Sequence, residues 1–134
     1  MAKSQRMKGK VGEREFLNLL GQSIGLSESL ARNLGQSHAG GADCICIDGL
    51  AIEVKRCEQL TISTWWAQAD RQASGMIPAR VPVLAYRQSR RPWMVVVPIN
   101  WMLASAARPE LAGATCTIDL PTFAALVQMH IDQS

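Results

Sequence analysis

The stretch that most constrains this chain is Gly40 to Arg56, GGADCICIDGLAIEVKR. Short runs with period-two alternation flank Asp48-Gly49, which predicts a β-hairpin. In the second run, Ala51-Ile52-Glu53-Val54-Lys55, Ile52 and Val54 share one face while Glu53 and Lys55 share the other. The first run, Ala42 to Ile47, carries Asp43, and turn length decides which face Asp43 joins. A two-residue turn at Asp48-Gly49 pairs Ile47 with Leu50 and turns Asp43 away from Glu53. A three-residue turn with Gly49 in the left-handed position pairs Cys46 with Leu50 instead. That register sets Asp43 across from Glu53, with Cβ atoms roughly 5 Å apart. The three-residue turn is the expectation, and a bulge would give the same outcome.

Two carboxylates and an ammonium on one sheet face are costly unless a cation binds among them. A divalent metal is the expected occupant. Glu-x-Lys alone is an ordinary half-buried strand with a wet polar face. Asp43, the Gly40-Gly41 approach and a helical acid upstream reverse that reading.

The helical acid is Glu13. From about Lys10 to Ile24, the apolar residues Phe16, Leu17, Leu20 and Ile24 follow helical spacing. At about 100° per residue Glu13 lies near the middle of this stripe, whereas Glu15 points almost the opposite way. A first-turn acid can simply serve the helix dipole or pair with a lysine. With another acid pair in the chain, a third metal-site carboxylate is the better reading of Glu13.

At 134 residues the chain reads as one domain over 1–134, large enough for a real core. Fourteen Lys and Arg against 11 Asp and Glu leave a net charge of +3, which permits an anionic partner without requiring one. Residues 1–8 are polar and basic and read as a flexible arm. No apolar run is long enough to span a membrane and no signal-peptide core opens the sequence, so a cytoplasmic location is expected. Cys44 and Cys46 lie two apart on one strand, while Cys57 and Cys116 stand alone. A zinc site would need a second ligand pair, so all four read as reduced structural thiols.

Elsewhere the chain reads as alternating elements. Leu26 to Leu34 reads as a short helix capped by Ser27, and His38 falls in the loop that follows. A helix from Ser63 or Thr64 to about Ser74 is closed by Gly75, with Trp65 and Trp66 mainly core residues. Val81 to Tyr86 and Trp93 to Val97 read as strands joined by an Arg-rich connection, the Trp65 helix crossing over to the first of them. Asn100 is a candidate cap for a helix over Trp101 to Ala107. Thr115 to Leu120 reads as a strand and Thr122 to Ile131 as a final helix after Pro121. The fold class is α/β, a central mixed sheet flanked by helices.

Taken in order, Lys8-Gly9, Glu13-Arg14-Glu15, Asp43, Glu53-Val54-Lys55, Pro82-Val83-Leu84-Ala85 and Trp93 to Pro98 resemble the archaeal-type Holliday junction resolvases. These belong to the restriction-endonuclease-like, or PD-(D/E)xK, nucleases, and small phage and prophage nucleases of this type look similar too. The likeness spans about residues 8 to 98. It implies a restriction-endonuclease-like core, Glu13, Asp43 and Glu53 as acidic metal-site residues, and Lys55 as the catalytic lysine. Ala42 stands where the motif's name has Pro. The resemblance further implies a homodimer with two active sites facing branched DNA, and products with 5′-phosphate and 3′-hydroxyl ends.

The expected chemistry is phosphodiester hydrolysis with Mg²⁺, Mn²⁺ substituting, held by Asp43, Glu53, the Val54 carbonyl and Glu13. Lys8, Lys10, Arg14, Arg32, Arg56 and Gln72 are the candidate DNA contacts, reading backbone rather than sequence. Two other functions compete. One is a nuclease of the same fold acting on flaps, ends or linear duplex in phage replication or repair. The other is a DNA-binding module that keeps the fold and does no chemistry.

Overall fold

The computed structural model describes residues 2–24, 47 and 49–133. Helix α1 (Ala2–Ser23) is followed by strand β1 (Leu50–Cys57), helix α2 (Ile62–Ser74), strands β2 (Val81–Gln88) and β3 (Met94–Pro98), and the short helix α3 (Ile99–Leu103). Two 3-10 turns, Ala104–Ala106 and Pro109–Leu111, lead to strand β4 (Thr115–Asp119) and helix α4 (Leu120–Asp132). The described strands form one sheet in the order β1-β2-β3-β4. β1 and β2 are parallel, joined by the α2 crossover, and the other two pairings are antiparallel. This is the mixed α/β sheet that the alternating pattern predicts.

The two sheet faces bury different residues. α1 and α4 cover one face, where Phe16, Leu17, Leu20 and Phe123 meet Ile52, Val54, Val83, Ala85, Val95 and Val97. Phe16 packs on Trp93 at 5.3 Å between ring centroids, and Trp101 packs on Phe123 at 5.7 Å. α2 covers the opposite face: Ala73 and Met76 pack on Ala51, while Trp65 and Trp66 join Leu84, Tyr86 and Val96. Both tryptophans are half-buried core residues, as their sequence context suggests.

Three local expectations change. Helix α1 already starts at Ala2, so residues 2–8 are helical and continuous with the helix that carries Glu13. Ala, Lys, Gln, Arg and Met over this stretch are good helix formers, and Gly9 and Gly12 weaken a helix without stopping it as Pro would. The Leu50 amide donates to the Ile47 carbonyl at 3.1 Å and Gly49 has φ +82°, so a tight four-residue turn from Ile47 to Leu50 leads into β1, shorter than the expected one. Glycine takes this left-handed position without a Cβ clash, and short turns of this kind match strand twist. Asn100 is not a cap. Pro98 precedes α3, and the Asn100 side chain instead brackets Arg108, accepting from its amide and donating to its carbonyl, each at 2.9 Å.

Arg80 fixes the turn to the start of β2. Its guanidinium donates to the Leu50 carbonyl at 2.9 Å, and the Val81 amide donates to the Gly49 carbonyl at 2.8 Å. At the other end of the chain, Asp119 caps α4 by accepting from the Thr122 amide at 2.8 Å. No helix among the described residues is long and apolar enough to cross a membrane.

Candidate active site

β1 lies edge to edge with β2 so that Glu53 pairs with Leu84 and Lys55 with Tyr86. Because side chains alternate, Glu53 and Lys55 share the α2 face with Ala51, as the Glu-x-Lys spacing predicts. Glu53 is only 5 % exposed, the one buried charged residue among those described. Its carboxylate lies 3.5 Å from the Lys55 ammonium, which keeps a route to solvent. A carboxylate this deep is stable only with positive charge beside it. Lys55 supplies one such charge. The hard oxygens of Glu53 and of the adjoining carbonyl of Val54 are the donors that Mg²⁺ or Mn²⁺ takes.

The remaining expected site residues fall differently. Glu13 is half-buried on α1, the helix that packs against β1, and has partners of its own. Asp43 and Arg32 lie outside the described residues, as do Cys44, Cys46, His38 and the helix expected over Leu26 to Leu34. Among the described residues, no three His, Cys, Asp or Glu gather closely enough to hold a metal.

Of the candidate DNA contacts, Lys8 and Lys10 lie on α1, and their side chains are outside the described set. Arg14 is exposed on the same helix, and Gln72 is half-buried on α2 with partners of its own. Arg56 does not extend freely into solvent. Its Cβ lies where a Cβ on Gly12 would come within 2.9 Å, and its guanidinium is 3.7 Å from the Glu15 carboxylate. Cys57 and Cys116 are free thiols, with the Cys116 sulfur 3.0 Å from that of Met102. Burial raises the Cys116 thiol above its ordinary pKa.

Sequence reading missed two features. Glu15, expected on the outer side of α1, accepts from the Arg87 guanidinium and from the Trp93 indole at 2.9 Å. The expectation that it points away from the packed side is overturned: Glu15 lies about one turn from Gly12, which packs on Arg56 of β1, and its carboxylate meets Arg87 of β2 and Trp93 just before β3. The second is an open cavity of about 310 Å³ lined by Leu60, Tyr86, Gln88, Arg91, Pro92 and Met94. It lies on the face that Glu53 and Lys55 share, since Tyr86 and Gln88 are the partners of Lys55 and Cys57. Burial and the nearby Cys57 raise the Tyr86 hydroxyl above its usual pKa, so it stays protonated at neutral pH. The antiparallel β2–β3 hairpin, with Tyr86 paired to Met94, supplies five of its six lining residues, and Leu60 closes it from beyond β1.

No curated protein and no solved structure matches the chain. A protein-family model described as "Phage putative PDDEXK endonuclease" matches residues 4–125, which takes in α1, the Glu-x-Lys strand, the whole sheet and the first part of α4. The chain therefore belongs to the phage PDDEXK endonuclease family.

Proposed function

We propose that this protein is a Mg²⁺-dependent, structure-selective DNA endonuclease that cuts branched DNA, four-way junctions included, by phosphodiester hydrolysis. The observation that carries the reading is the buried Glu53 carboxylate beside the Lys55 ammonium at 3.5 Å, on a strand of a PDDEXK endonuclease chain. Glu53, the Val54 carbonyl and Asp43 would hold the metal, with Glu13 contributing directly or through water. Mn²⁺ satisfies the same oxygen donors. When bound, the ion supplies Lewis acidity toward the scissile phosphate and acidifies a water.

The chain's own residues do the rest. Glu53, fixed by its burial, orients the water-bearing side of the site. Lys55 cannot be a ligand while protonated; it holds the attacking water in line or meets the charge that grows on the phosphate oxygens. Arg14, Lys8, Lys10 and Arg32 would track the DNA backbone, which favours recognition by shape over base sequence. A homodimer would present two such sites to the two sides of a branch. A phage enzyme of this kind would act in the host cytoplasm.

The test is cleavage of four-way, forked and linear substrates by the wild type and by Glu53→Ala. Mg²⁺-dependent cutting of branched substrates, lost in the variant with DNA binding retained, is the expected result. Cutting by Glu53→Ala at the wild-type rate would refute the site. Equal cutting of linear duplex would refute the selectivity.

A further inference from the structure

The cavity on the sheet face that Lys55 shares is mostly apolar, with polar groups at its edge. Tyr86 and Met94 line it from β2 and β3, Leu60 and Pro92 come from the segments flanking the strands, and Gln88 and Arg91 add its polar groups. Its volume of about 310 Å³ is at the small end of ligand sites, which run from about 300 Å³. Gln88 is held in place, its amide nitrogen donating to the Glu58 carbonyl at 2.8 Å. Arg91 is fixed at its backbone, its amide donating to the Gln88 carbonyl at 2.9 Å, while its side chain is exposed. Arg90, exposed next to it, adds a second positive charge to the same turn.

Position relates the cavity to the chemistry. Lys55 and Tyr86 are register partners on adjacent parallel strands, about 4.8 Å apart in the sheet. A phosphate at Glu53 and Lys55 therefore has its own nucleotide, or the next one, within reach of the cavity. We infer that this cavity receives one unpaired nucleobase of the substrate strand, next to the phosphate that is cut. The apolar walls of Leu60, Pro92 and Met94, with the little of Tyr86 that is exposed, take the face of any base, and the guanidinium of Arg91 meets its edge or the following phosphate. A base stacked inside duplex cannot enter. The inference rests on the endonuclease reading and deepens it: the substrate must offer an unpaired nucleotide at the cut, as forks, flaps and opened branch points do.

Binding and cutting test it separately. With EDTA present, the affinity of the wild type is measured for a forked oligonucleotide, then for forks in which one unpaired base at a time is replaced by an abasic residue. Abasic replacement leaves every phosphate in place. One position near the branch should weaken binding by about 5-fold or more, the range seen when a single base loses its stacking partner. In the double variant Leu60→Ala, Arg91→Ala, both at exposed positions, that position should lose its special effect. A flat abasic scan with salt-sensitive fork binding intact overturns the base pocket and leaves the endonuclease reading standing. An abasic effect that survives the double variant also overturns it. Fork cleavage with Mg²⁺ is scored in parallel: no cleavage, with the abasic effect present, supports the pocket and refutes the endonuclease.

Discussion

The carboxylate of Glu15 accepts a hydrogen bond from the indole Nε1 of Trp93 at 2.9 Å, across 78 residues of chain. The same carboxylate takes the Arg87 guanidinium and sits 3.7 Å from that of Arg56. One acid thus ties α1 to β1, to β2 and to the residue just ahead of β3. Glu15→Ala should lower unfolding stability by about 1–3 kcal/mol, because it leaves the indole and two guanidinium groups without their acceptor. The carboxylate is 28 % exposed, so water recovers part of that loss and the lower half of the range is expected. Urea unfolding followed by tryptophan fluorescence measures it; an unchanged midpoint would show the contacts to be idle.

Gly12 allows α1 to lie against β1. A Cβ there would come within 2.9 Å of the Arg56 Cβ, an atom fixed by the strand and unable to swing aside. Alanine would gain about 1 kcal/mol of helix propensity, but overpacking costs about 1–3 kcal/mol. Gly12→Ala should therefore be neutral to destabilising, and adding Arg56→Ala, which keeps the offending Cβ, should not rescue it. A stabilised Gly12→Ala would contradict the close contact.

For the proposed chemistry, Glu53→Ala should reduce Mg²⁺-dependent cleavage by at least about 100-fold, and Lys55→Ala by about 100- to 1,000-fold, the scale on which single charge-stabilising groups act. Filter-binding under the same salt should change far less. Lys55→Ala also strips Glu53 of the cation beside it, so this variant should unfold more easily than Glu53→Gln, which removes the charge itself. Melting temperatures in that order support the pairing; the reverse order speaks against it.

Asp119 gives the fold a pH signature away from the site. Accepting from Thr122 holds its carboxyl below the usual carboxylate value of 3.8. A depressed folded pKa means stability that is fully present above the unfolded value and is lost as pH falls through the folded one. Asp119→Ala should therefore melt lower than the wild type at neutral pH, and the gap should close as pH drops below the ordinary carboxylate range. Thermal melts at the two pH values decide it, and a gap that persists in acid would mean the cap acts without its charge.

Strand identity was legible because β-branched residues and period-two alternation are local signals. Val81 to Gln88 and Met94 to Pro98 appear within two residues of their expected bounds, and Glu53 and Lys55 share the face that counting by twos assigns them. The apolar stripe of α1 was equally local, and Phe16, Leu17 and Leu20 are buried as expected. What escaped was whatever depends on residues far apart. The role of Glu15 needs Arg87 and Trp93 brought to it, the space at Gly12 needs Arg56 opposite, and the cavity needs Leu60 and Met94 on neighbouring elements. The turn before β1 is a local matter instead: an Asp-Gly pair by itself fits the shorter form.

The α2 crossover has a consequence for how the protein is assembled. β2 and β3 are neighbours in sequence and can pair from nearby contacts, but β1 meets β2 only after the intervening helix has closed a long loop. Loop closure is entropically costly and parallel pairing slow, so β1 should join last. Pulse-labelled amides of Val95 and Val96 should then gain protection before those of Glu53 and Lys55, and simultaneous protection would contradict the order. Under the proposed function, a newly made chain gains its cutting activity only when this last strand docks.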